Sequence, residues 1–171
     1  MDALRLVIPN AVLEASDFYQ RYPQHWAPHA FTPSTILSRA TVTDDELEVP
    51  AKIAKGTNGD GGVWDIVLDK FIGQHREEWY DSYRASLRNP NGDLTPGLVV
   101  KIVDLPMNAA IEEGIEHLEW ELANFEFAAG LEGKALPRFA GLFGRGTLFC
   151  FVFEDAGRTL TQTELITGGV W

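Results

Sequence analysis

Arg138-Phe139-Ala140-Gly141-Leu142-Phe143, followed by Gly144-Arg145-Gly146 and then Leu148-Phe149-Cys150-Phe151-Val152-Phe153, is the stretch that decides the fold. Two apolar runs of strand length flank a turn containing two glycines, so the segment reads as a β-hairpin. The second run shows no apolar–polar alternation, which is the composition of a strand buried on both faces. Both sides of its sheet must therefore be covered. Glu154-Asp155-Ala156-Gly157 closes the segment with a polar, glycine-containing connection.

One cover lies just upstream. From about Asn108, residues Ile111, Ile115, Leu118, Leu122, Phe125 and Ala129 fall within about 40° of one line at 100° per residue, which predicts a long helix with one core-facing stripe. Trp120 and Phe127 fall nearly opposite that stripe, so the helix has apolar material on two sides and reads as sandwiched; Gly133 and Pro137 mark its exit. Before it, Leu98-Val99-Val100-Lys101-Ile102-Val103 reads as a strand with an interior lysine. Further back, Ile72, Trp79, Tyr80, Tyr83 and Leu87 recur at helical spacing and Asn89-Pro90-Asn91-Gly92 supplies a stop, which predicts an additional helix. From Ile53, the glycine-rich Lys55 to Gly62 leads into Val63-Trp64-Asp65-Ile66-Val67-Leu68, read as strand, turn and strand.

Residues 1–52 are read as a helix over Leu13 to Tyr19, capped by Asn10, and an extended arm imposed by Pro23, Pro28 and Pro33. Trp26 and Phe31 are large for a solvated linker, so the arm is expected to pack on the body formed by residues 53–171, giving one compact domain.

In order, these elements are a glycine-turn hairpin, a strand with an interior lysine, a long helix, and two strands ending in an acidic connection. That order resembles the N-terminal lobe of a protein kinase. The phrasing from Leu131 to Phe143 and from Phe153 to Gly157 is similar to fungal-type kinase-like proteins. The resemblance implies an α+β fold: an antiparallel sheet of about five strands packed on one long helix, with an additional helix and an N-terminal proline-rich arm.

It also implies roles for particular residues. Gly56, Asn58, Gly61 and Val63 match the spacing of the loop that covers ATP phosphates, with Asn58 in place of the middle glycine. Lys101 matches the phosphate-contacting lysine, and Glu121, twenty residues on (121 − 101 = 20), the helix glutamate that pairs with it. The bland alternative is a surface lysine beside a carboxylate. Phe153 would be the gatekeeper, and Glu154 to Ala156 the hinge that offers backbone groups to adenine.

The chain stops at Trp171, before any counterpart of the family's H-R-D and D-F-G motifs. No catalytic residue is therefore assigned, and no phosphate transfer is expected from the chain alone. The leading expectation is a non-catalytic protein-interaction module resembling a truncated pseudokinase lobe. A protein partner or a second copy would cover the surface that normally faces a kinase C-lobe, with Trp120, Phe127 and Trp171 as candidate anchors. The alternative is the nucleotide-binding half of a phosphotransferase that needs a separate catalytic lobe, with ATP the cofactor the resemblance admits.

Composition narrows the rest. With 171 residues, 45% hydrophobic and 11% aromatic, the chain has material for a core; its formal charge of −11 repels a phosphate backbone and excludes nucleic acid as a general partner. No apolar stretch is long enough to span a membrane, and the first residues lack a secretory apolar segment, so a cytoplasmic location is expected. The lone Cys150, between Phe149 and Phe151, reads as a buried thiol. Glu112, Glu113, Glu116 and Glu119 beside His117 read as a solvated helix face, and no metal site is assigned.

Overall fold

Leu4 and Leu6 are buried while Arg5 between them is exposed, the period of two that defines a half-buried strand. This strand, β1 (Ala3–Val7), begins a sheet in a computed structural model that describes residues 3–15, 34–43, 46–49, 63–75, 80–105, 111–134 and 136–157. The elements that follow are α1 (Asn10–Ala15), β2 (Ser34–Arg39), β3 (Thr41–Thr43), β4 (Glu46–Glu48), β5 (Trp64–His75), β6 (Tyr80–Arg88), β7 (Leu94–Asp104), α2 (Ile111–Phe127), β8 (Phe139–Arg145) and β9 (Leu148–Glu154).

Seven strands close into a barrel in the order β1-β2-β8-β9-β7-β6-β5, with β3 and β4 forming a separate two-stranded sheet. Every barrel pairing is antiparallel except β1 with β5, which is parallel and closes the ring. Closure leaves the sheet without a free edge. The closing seam is also held by side chains: Arg5 and Asp65 are register partners, and Arg5 Nε and Nη2 donate to Asp65 at 2.6 and 3.0 Å. Hydrogen bonding to Asp65 raises the Arg5 guanidinium above its ordinary value, against the opposing effect of burial.

This architecture overturns the kinase-lobe fold expected from the sequence. There is no open sheet of about five strands on one long helix, because β1 and β2, from the region read as a proline-rich arm, complete a ring. Among the described residues the helices are short, α1 of 6 residues and α2 of 17. The additional helix expected from Ile72 to Leu87 is also overturned among the described residues: Ile72 lies in β5 and Tyr80, Tyr83 and Leu87 lie in β6, while Trp79 falls outside the described residues. Asp81, Tyr83 and Ala85 alternate inward on β6. A buried aspartate at one inward position hid the period of two, and β-bulges in β5 after Leu68 and Phe71 disturbed it further. Asn89 to Gly92 makes the turn between β6 and β7, with Gly92 at φ 95° donating its N–H to Asn89 O at 2.9 Å. The helix expected over Leu13 to Tyr19 starts earlier, at Asn10, and residues past 15 lie outside the described ones.

The hairpin of β8 and β9 forms as expected, and β9 is buried on both faces. Leu148, Cys150 and Val152 join Leu4, Leu6, Tyr83 and Val100 inside the barrel. Phe149, Phe151 and Phe153 join a second core outside it, against Leu118 and Leu122 of α2. Full burial of each such side chain contributes ~1.5–3 kcal/mol, so the outer aromatic layer is what fastens α2 to the barrel. Glu119 of α2 adds a tether, accepting the Leu47 backbone N–H of β4 at 2.7 Å. Complete burial also pushes the Cys150 thiol up, so it stays protonated.

Candidate functional site: a charged cleft between strand and helix

Lys101 sits in the middle of β7, between Ser82 of β6 and Phe151 of β9 in the register. Its neighbours Val100 and Ile102 point into the barrel, so the strand's alternation turns Lys101 outward, under α2. There its Nζ donates to Glu121 Oε1, lies 4.1 Å from the centre of the Tyr80 ring and 5.7 Å from that of Phe151. The side chains of Lys101 and Glu121 are 19% and 27% exposed. An exposed ion pair contributes ~0–1 kcal/mol and a cation over an aromatic face ~0.5–2 kcal/mol. Together they fix the ammonium in one place on the helix-covered face.

The pair lines an open cleft of about 510 Å³ between β7 and α2. Val103, Leu105 and Tyr80 form the sheet side; Leu118, Trp120 and Phe125 belong to the helix side. Gly114 lets the helix approach: a Cβ there would come within 2.5 Å of Leu105 Cδ2. The lining is mostly apolar, and beside Lys101 and His117 it carries two carboxylates, Glu113 and Glu121, of which Glu121 pairs with Lys101.

Of the residues singled out in the sequence, Lys101, Glu121 and Trp120 meet in this cleft. Phe153 lies close by, in an aromatic cluster with ring-centre distances of 5.0 Å to Phe125 and 5.4 Å to Phe139. Glu154 and Ala156 line a separate pocket of about 230 Å³ with Pro137 and Arg138. The backbone N–H groups of Glu154, Asp155 and Gly157 are engaged by Arg138 O, Gly97 O and Asp155 Oδ1 at 2.8 to 2.9 Å. Asp155 also pairs with Arg84 at 3.2 Å.

Gly56, Asn58, Gly61 and Trp171 lie outside the described residues. Val63 does not approach Lys101. The register runs Lys101 to Ser82 to Gly73, so Val63, just before the start of β5, lies ten residues further back along the chain (73 − 63 = 10), ~30 Å at strand rise. Tyr80, the first residue of β6, is what flanks the lysine. Tyr80 is thus a site residue that sequence reasoning missed, because its spacing with Tyr83 and Leu87 was read as a helical stripe.

Trp120 and Phe127 are 65% and 94% exposed, so neither packs within the described chain as a second helix cover would. No cluster of metal-ligating side chains occurs among the described residues, and no helix there is long and apolar enough to cross a membrane. No family model matches the chain, and no match is found among curated proteins or solved structures.

Proposed function

We propose that the chain is a non-catalytic protein-interaction module that binds through the outward face of α2. The observation that supports this reading is the exposure of Trp120 and Phe127, seven residues and about two helical turns apart. Leu131, 52% exposed, follows in the 3-10 turn beyond the helix. One exposed apolar side chain is ordinary. Two aromatics aligned on one helix, the first of them also lining the open cleft with its ring 6.0 Å from that of His117, belong to neither core of the described residues, and such residues carry most of the binding energy at protein interfaces. A photocross-linking residue at Ala123, exposed between the two aromatics, tests the reading in lysate from the source cells. A discrete protein adduct is expected at 123, none from the same probe at exposed Lys70, and loss of the adduct in Trp120→Ala/Phe127→Ala. Equal labelling at 123 and 70 sinks the proposal.

The second reading, a nucleotide-binding half that works with a separate catalytic lobe, is favoured by one observation: Lys101 and Glu121 pair in an open cleft. Opposing it, a triphosphate would meet Glu113 as well as Lys101 there. That reading requires ATP with magnesium to raise the melting temperature and Lys101→Ala to abolish the rise; no shift in the intact chain rejects it.

A further inference from the structure

Resting on the interaction-module reading, we infer that the occupant of the α2 face is a basic, amphipathic helical segment of a partner protein. At 100° per residue, Glu113, Glu116, Trp120 and Phe127 fall within about 40° of one line, and all four are exposed. The stripe is divided along its length: carboxylates toward the helix start, aromatics toward its end. Glu113 lies in the first turn, where a carboxylate also favours the helix dipole; Glu116 lies beyond it and has no such reason. Neither forms an ion pair among the described residues, whereas Glu119 and Glu121 on the flanks are engaged by Leu47 and Lys101. The helix from Ile111 to Phe127 contains no lysine or arginine.

Charge decides between occupants. A second copy would set this acidic helix against itself, in a chain of net charge −11, and like charges across an interface oppose association. A segment with lysine or arginine at one end and large apolar side chains at the other complements the stripe along its whole length. From Glu113 to Phe127 the stripe spans ~21 Å, about four turns of a partner helix, whose apolar anchors would seat on Trp120 and Phe127 and beside the cleft.

The test uses the whole chain and two synthetic peptides of about 14 residues, one built from lysine and leucine in an amphipathic helical pattern and one with glutamate replacing every lysine. Titration calorimetry is expected to show one-to-one binding of the lysine peptide, weakening as salt is raised. Trp120→Ala/Phe127→Ala should weaken it about tenfold or more. Glu113→Gln/Glu116→Gln should weaken it and flatten its salt dependence, while circular dichroism stays unchanged in both variants. The glutamate peptide should not bind. Equal affinity for wild type and the aromatic double variant would mean non-specific attraction to an acidic chain and overturns the inference. So does binding of the glutamate peptide, or a dimer in light scattering that Trp120→Ala dissolves. Failure here with a persistent, aromatic-dependent adduct at Ala123 rejects the partner chemistry alone; failure of both rejects the interaction module.

Discussion

Replacing Asp65 by asparagine should open the seam on which the barrel depends. Its side chain is only 6% exposed and accepts two bonds from Arg5, so the carboxylate ties β1 to β5. Arg88 Nε of β6, buried and without a hydrogen-bond partner among the described residues, lies 3.4 Å from the same Oδ2 that Arg5 Nη2 reaches and adds only charge attraction. Hydrogen bonds to a charged group contribute ~1.5–3 kcal/mol each when well shielded. The Arg5 and Arg88 side chains are 44% and 34% exposed, and solvent screening takes the pair toward the lower part of that range. Asparagine keeps one acceptor and loses the charge, leaving an expected cost of ~2 kcal/mol. In a chain of 171 residues that corresponds to a fall of ~4–8 °C in melting temperature. Urea unfolding of Asp65→Asn, Arg5→Gln and the double variant measures both the cost and the coupling, expected at ~1–2 kcal/mol. A loss below ~0.5 kcal/mol, or a coupling of zero, would refute the claim that this pair helps join β1 to β5.

Other consequences are equally open to measurement. Cys150 should resist iodoacetamide in the native protein and react at the rate of global unfolding; rapid native labelling contradicts its burial. Because its folded thiol ionises at higher pH than the unfolded one, its effect on stability should be flat below the ordinary thiol pKa of ~8.5 and destabilising as pH rises above it. A Cys150→Ala variant should lose that part of the alkaline slope. Lys101→Met, which keeps the stem over Tyr80 but removes the charge, should cost ~1 kcal/mol in urea unfolding, and no further loss should follow when Glu121→Gln is added. Gly144→Ala should cost ~1–3 kcal/mol by overpacking, since a methyl there would come within 2.8 Å of the buried Phe149 ring and 3.2 Å of Val49; an unchanged or stabilised variant contradicts the packing.

The parts of the fold that could be read from sequence were those whose physics is local. The run from Leu148 to Phe153 has no polar residue, and its burial on both faces follows from that alone. The helix stripe through Leu118 and Leu122 was equally legible; the Lys101–Glu121 ion pair was expected only from the kinase resemblance, and it occurs in a barrel that overturns that fold. Ring closure was not, because the β1–β5 pairing joins residues sixty apart and no local pattern announces a partner at that distance. The alternation in Ala3 to Val7 was nevertheless visible and, read for strand period, would have found β1. At β6 the failure was competition between periods: Tyr80, Tyr83 and Leu87 fit a helix, while the inward Asp81 broke the strand pattern. Trp120 and Phe127 were recognised as lying opposite the core stripe, but their angle alone did not distinguish a second cover from solvent.

That distinction is also where the functional reading is most exposed, since a docking face must be dispensable to the fold. The unfolding free energy of Trp120→Ser/Phe127→Ser in urea measures it directly. Side chains 65% and 94% exposed should be lost at a cost within ~0.5 kcal/mol of zero, the range of ordinary surface substitutions. A loss of ~3–5 kcal/mol, the magnitude of a large aromatic removed from a core, would show that these residues hold the chain together and are not free to bind a partner.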